Sequence, residues 1–189
     1  MKKSIFYFLL GALVVSTIAF IDVKNSNAEI EAYVELLNGT KDYTLELLEA
    51  MPADKYTFRP HDSIRSFGEQ MAHVGMSTKF LTSMFIKGGP MPSQEDFVKF
   101  GKMEKEMATS KEAVTKAVTE GLDDMIAAYK SMTAETMKEK FTVFFDPKQP
   151  KFSKEEGFKF INDHLLHHRG QALVALRMQG IKAPDYRLY

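Results

Sequence analysis

The sequence contains no cysteine. That absence excludes disulfides, a thiol nucleophile, a cysteine–zinc centre and a lipobox lipid anchor together, so the core must hold by packing alone. Charge imbalance is missing as well: 25 basic and 25 acidic residues give a formal net charge of zero. No basic stripe and no interleaved basic–aromatic run breaks the balance, and on that ground nucleic acid is not expected as a partner. Internal repeats and low-complexity tracts are also lacking. What remains is a globular composition, 44% hydrophobic and 26% charged over 189 residues, enough for one domain with a full core.

The N-terminus stands apart from this composition. Met1-Lys2-Lys3 is a short basic region, Ile5 to Ile21 is almost unbroken apolar sequence, and Ser26-Asn27-Ala28 supplies small residues at cleavage spacing. Residues 1–28 therefore read as a secretory signal peptide, and 29–189 as the folded domain. The expected location is exported, periplasmic or secreted. The alternative is a membrane anchor through residues 5–21, which is close to the minimum length for a bilayer span. Cleavage would remove Lys2, Lys3, Lys24 and Asp22, three positive charges and one negative, leaving a formal charge of −2.

Four long helical segments follow, with little that reads as strand. The first runs from about Glu29 to Met51, with Ile30, Val34, Leu37, Leu48 and Met51 on one face, joined by Leu45 or Thr44. Pro52 and Tyr56 to Pro60 end it. The second opens at the capping box Ser66-Phe67-Gly68-Glu69, runs to Lys87 and stops at Gly88-Gly89-Pro90. A polar connection from Met91 to Thr109 carries at most one short helix, around Gln94 to Phe100. The third helix is capped by Ser110 and buries Val114, Val118, Leu122, Met125 and Tyr129. In the second connection, Phe141 to Phe145 reads as a short strand or as a lid over the bundle end. The fourth helix opens at the capping box Ser153-Lys154-Glu155-Glu156 and ends before Gly180. Four amphipathic helices joined through two long crossovers predict an all-α four-helix bundle.

Only five histidines occur, and three of them cluster in Asp163-His164-Leu165-Leu166-His167-His168-Arg169-Gly170-Gln171. His164 and His168, four apart on a helix, project from one face a turn apart, which is a spacing that can chelate one metal ion. Alone this is a weak signal, and Leu165 stands where a zincin carries its glutamate base. His73, in the middle of the second helix, strengthens it, because two helices then each bring imidazole to the bundle interior. Three protein ligands would leave a coordination position open, as catalytic sites do.

These residues carry a family resemblance. Asp163 to Gln171, continued by Leu176 to Pro184, resembles the last helix of the DinB-like superfamily, and Phe58 to Val74 resembles that family's second helix with its approach. The likeness runs from about Glu29 to Pro184. It implies the family's four-helix bundle, and it places His73, His164 and His168 on the three metal-binding positions. It also implies a relationship to metal-dependent transferases that use low-molecular-weight thiols, alongside members of unknown activity.

The neighbours are read one by one. His167 points roughly 100° away from His168 and is set aside from the metal. His61 is read as surface, near the site mouth at most. Glu69 closes the capping box with Ser66; as fourth ligand or general base it is a weak catalytic candidate. Gln171 is placed to orient a ligand by a hydrogen bond from outside the coordination sphere. Gly170 is read as permitting close helix contact, Asp163 and Arg169 as solvated or paired charges, and Met71, Met76 and Met84 as core filler rather than a copper box.

The expected cofactor is a divalent metal ion: zinc, nickel or iron, with nothing in the sequence to choose among them. Two functions fit. One is an exported metalloenzyme, a hydrolase or transferase acting on an unidentified small molecule; export sits badly with cytosolic thiol cofactors. The other is a non-catalytic bundle that binds metal or a small ligand. Homodimerisation is left open, and membrane contact is expected only if the N-terminal segment is uncleaved.

Overall fold

The helix starts follow from serine. In the computed structural model, which describes residues 28–186, three helices begin at a serine whose hydroxyl accepts the N3 backbone N–H while the N3 carboxylate accepts the serine's own N–H. The pairs are Ser66–Glu69, Ser93–Asp96 and Ser153–Glu156. Ser110 caps a fourth helix through the Ala113 N–H.

The elements are α1 (28–50), α2 (Phe67–Leu81), α3 (Gln94–Met107), α4 (Lys111–Lys130), the strands β1 (Lys140–Thr142) and β2 (Lys151–Ser153), and α5 (Lys154–Met178). α2 continues into a π-helical turn, Thr82–Ile86, and ends at Gly88, whose positive φ of 69° suits only glycine cheaply. β1 and β2 pair antiparallel with Phe141 opposite Phe152. The chain is thus mostly helical, with one small two-stranded sheet.

Two sequence expectations change here. The stretch read as a polar connection is a helix of 14 residues, Gln94–Met107, twice the length of the short helix expected around Gln94 to Phe100. Of the two readings of Phe141 to Phe145, its start is a strand, and it pairs with the segment that leads into α5. The expected signal segment lies outside the described residues except for Ala28, as does the apolar stretch 5–21. Among the described residues no helix is long and apolar enough to cross a membrane.

α2 is the central helix. It buries Phe67, Met71, Val74, Gly75, Thr78 and Leu81 along one face, and Gln70, Ala72 and Ser77 to either side of it. Against α4 it comes very close, because two glycines meet: a Cβ on Gly75 would lie 2.6 Å from the Ala117 carbonyl carbon, and one on Gly121 would lie 2.5 Å from the Gly75 oxygen. Gly170, expected to serve helix contact, has open space where its Cβ would be, so that role belongs to Gly75 and Gly121 instead. Tyr56, fully buried, donates its hydroxyl to the Leu48 carbonyl at 2.9 Å and packs edge-on against Phe67, fixing where α2 begins relative to α1.

The apolar core falls into two clusters. One contains Leu47, Leu48, Met51, Phe67, Met71, Val74, Val118, Leu165 and Leu176; the other contains Leu37, Leu81, Phe85, Met125, Phe158 and Ile161. Each such fully buried side chain contributes roughly 1.5–3 kcal/mol. Along the chain, buried polar residues separate the two: Thr40 and Thr44 on α1, Ser77 and Thr78 on α2, Asn162 on α5. His164 falls in that same interval of α5, so the site is built where the apolar core is interrupted.

Candidate metal centre

α2 presents His73 and α5 presents His164 and His168 toward each other. One ligand atom from each imidazole lies within 4.8 Å of the others. Ring centroids are 4.5 Å apart for His73–His168, 4.6 Å for His164–His168 and 5.2 Å for His73–His164. The i, i+4 spacing on α5 and the packing of α2 against α5 account for this convergence.

Each ring is held from its Nδ1 side. Glu104 Oε2 lies 2.7 Å from His73 Nδ1, and the other carboxylate oxygen accepts from Arg65 Nε at 3.0 Å. Gln70 Oε1 lies 2.8 Å from His168 Nδ1. Ser77 Oγ stands 3.4 Å from His164 Nδ1, a longer contact, while donating to the His73 carbonyl at 2.5 Å. A carboxylate only accepts, so His73 donates from Nδ1. Gln70 Nε2 donates to Gln171 Oε1 at 2.6 Å, which makes its Oε1 the acceptor for His168 Nδ1–H. Both rings are thereby left with a free lone pair at Nε2, the tautomer that binds a metal.

Burial pushes the His164 imidazole down to about 4 and that of His168 to about 3, with smaller contributions from neighbouring histidines and Arg65. Both rings are neutral at pH 7. Three mutually close imidazoles, two of them uncharged through burial and two with hydrogen bonds fixing the tautomer, form a donor set that fits a divalent ion of the zinc, nickel or iron type.

Residues outside the triad are mostly committed elsewhere. Glu69 completes its capping box at 2.8 Å from the Ser66 N–H and also accepts from Arg59 Nη2 at 2.6 Å, so its carboxylate is committed there while it still lines the cleft. Gln171 does not reach a triad histidine; it acts on His168 through Gln70 and also meets His167 Nε2 at 2.8 Å. His167 is exposed on that side, and His61 is exposed and bonded to Ser63. Asp163 is exposed, whereas Arg169 is buried, donating to the Thr40 carbonyl and Thr44 hydroxyl and lying 4.6 Å over the Tyr43 ring. It is therefore a structural tie to α1 rather than a solvated charge.

Glu104 and Gln70 were missed. The signal for Gln70 was its place three residues before His73. Glu104 belonged to the stretch read as a connection, yet Phe97, Phe100 and Glu104 recur at helical spacing along one face.

Beside the triad opens a cleft of about 1300 Å³. Charged residues of both signs line it, Arg59, Arg65, Glu69 and Glu104 among them, together with His73 and His164. Phenylalanines from α2, α3, α5 and the segment after β1 line it as well.

Solved structures place this fold. A DinB-like protein from Bacillus cereus aligns with a TM-score of 0.65 at 14% identity, covering 83% of this chain and 97% of its own. A DinB-like protein from Bacillus subtilis aligns with a TM-score of 0.60 at 17% identity, covering 82% and 98%. The colibactin self-resistance protein ClbS, solved in complex with a dsDNA, aligns with a TM-score of 0.55 at 11% identity, covering 79% and 95%. No curated protein matches the chain in sequence. The dsDNA complex corrects the exclusion of nucleic acid drawn from composition: a protein of similar fold is solved on the duplex. Net charge describes the whole chain and not the local field of one face, so neutrality could not support that exclusion. A family model for the DinB superfamily matches residues 36–172, a span holding all three histidines and Glu104, and the chain belongs to that superfamily.

Proposed function

We propose that this chain is an exported metalloprotein that binds one divalent metal ion through His73, His164 and His168 and acts as a metal-dependent hydrolase or transferase. The observation that carries the reading is the convergence of three imidazoles beside an open cleft, each approached at Nδ1 by a polar side chain. α1, α2, α4 and α5 are read as the four helices of the bundle, with α3 and the β1–β2 pair on its two long crossovers.

When bound, such an ion supplies Lewis acidity or lowers the pKa of a coordinated water. The chain's own part is to keep His164 and His168 neutral, aim the three rings through Glu104, Gln70 and Ser77, and place a ligand among the charged and aromatic side chains of the cleft. Three protein ligands leave room for an exogenous one.

The test is elemental analysis of protein purified without an affinity tag, paired with a His164→Ala variant. One equivalent of metal in the wild type and a large loss in the variant are expected. No stoichiometric metal under zinc, nickel or iron supply removes the reading. Because a protein of similar fold is solved with dsDNA, a mobility-shift titration with duplex DNA belongs beside it, in low and moderate salt.

A further inference from the structure

Six phenylalanine rings form a continuous arc along the cleft, and the arc starts on a triad histidine. Phe160 lies 6.2 Å from His164 with the two rings 27° from parallel. From Phe160 the contacts run to Phe145 at 5.7 Å, to Phe144 at 5.4 Å, to Phe97 at 6.3 Å, to Phe80 at 6.0 Å and to Phe100 at 5.7 Å. Phe100 sits one turn before Glu104 on α3, the residue that touches His73. The arc thus leaves the site at His164 and returns to it beside His73. All six rings line the cleft.

These rings come from four separate parts of the chain, yet they do not close on one another as a core. Phe97 is 42% exposed and Phe145 51% exposed. The charged lining is mixed: Arg59 pairs with Glu69 and Arg65 with Glu104, and Asp62, Asp96 and Lys105 bring both signs as well. A ligand there meets charge of both signs, much of it paired, and a broad apolar surface.

We propose that the cleft takes a small amphipathic molecule whose apolar body lies along the phenylalanine arc and whose oxygen-bearing head reaches the three-histidine centre. The inference rests on the metal reading for the position of the head, while the apolar body rests on the arc alone.

Alkyl hydroxamates separate the two parts, because the head binds an open metal position and the chain length varies freely. Calorimetric titration of zinc-loaded protein with the series from acetohydroxamate to hexanohydroxamate is the experiment. Affinity is expected to rise about fourfold per added methylene, the increment for moving one CH₂ out of water. In a Phe97→Ala/Phe145→Ala variant, acetohydroxamate affinity stays unchanged and the increment drops below about twofold. Both substituted rings are half exposed, so the variant keeps its core, and a thermal melt checks this. A series that binds with no dependence on chain length overturns the apolar body and leaves the metal site standing. Protein that takes up no zinc defeats the metal reading instead. The arc is then judged with 1-anilinonaphthalene-8-sulfonate on the metal-free protein: fluorescence enhancement that the double variant loses supports it, and no enhancement overturns it.

Discussion

Glu104 shows how one side chain can decide a site's properties from outside it. It is the buried residue of α3, and its two oxygens are shared between Arg65 and His73. A carboxylate behind a ligating imidazole fixes the ring and raises its basicity, and losing such a partner weakens metal binding about 10–100-fold. Glu104→Gln keeps the shape and removes the charge, so zinc affinity read by chelator competition should fall within that range; an unchanged affinity would show that His73 needs no such partner. Glu69 makes a different prediction. Burial raises its pKa, but the Ser66 N–H and the Arg59 guanidinium outweigh burial and hold it below the ordinary value of 4.5. A carboxyl depressed in the folded state stabilises the protein fully above its unfolded pKa, and that contribution disappears as pH falls through the folded value. Urea midpoints followed from neutral pH to about pH 3 should therefore fall more steeply below 4.5 for the wild type than for Glu69→Gln.

At the scale of elements, the glycines separate two effects that are usually mixed. Alanine is favoured over glycine inside a helix by about 0.8–1.0 kcal/mol when nothing else changes. Gly170 lies exposed on α5 with open space beyond it, so Gly170→Ala should stabilise by about that amount. Gly75 faces the α4 backbone at a distance no Cβ tolerates, and the clash must push two helices apart. Gly75→Ala should destabilise by about 1–3 kcal/mol despite the same propensity gain. Denaturant unfolding of both variants gives opposite signs if the close approach of α2 and α4 is real, and equal stabilisation if it is not. What could be read from sequence follows the same division. Local chemistry was legible: the Ser66 and Ser153 capping boxes, the Ser110 cap and the apolar face through Leu37, Leu48 and Met51 all appear where their residues predict. Pairings between distant segments were not. α3 buries only Glu104 and its Phe97 and Phe100 stand among charged residues, so it reads as a polar connection rather than a core helix. Gly75 and Gly121 look unremarkable until two helices are placed side by side. The three histidines were legible because i, i+4 spacing is local and a family pattern supplied His73; Gln70 and Glu104 meet them only across helices.

At the scale of the whole molecule, the first 28 residues bear on where the domain works. None of the described helices is long and apolar enough to cross a membrane, whereas the stretch 5–21 is close to the length of a bilayer span. We propose that this stretch is removed after Ala28 in the course of export. The cut would fall at the first turn of α1, ahead of Leu37 and Leu47, where the helix first becomes fully buried. Every residue of the two described core clusters lies beyond that cut. A cysteine-free core also gains nothing from an oxidising compartment and loses nothing in a reducing one, so retention inside should leave the domain folded. Two measurements then separate the outcomes. Mass spectrometry of the exported protein should show Glu29 as the first residue. Ala28→Phe, which puts a large side chain at the cleavage position, should hold the chain at full length in the membrane fraction while the domain still takes up metal. Full-length wild-type protein in the membrane fraction would establish the anchor instead, and full-length soluble protein in the cytoplasm would remove export altogether.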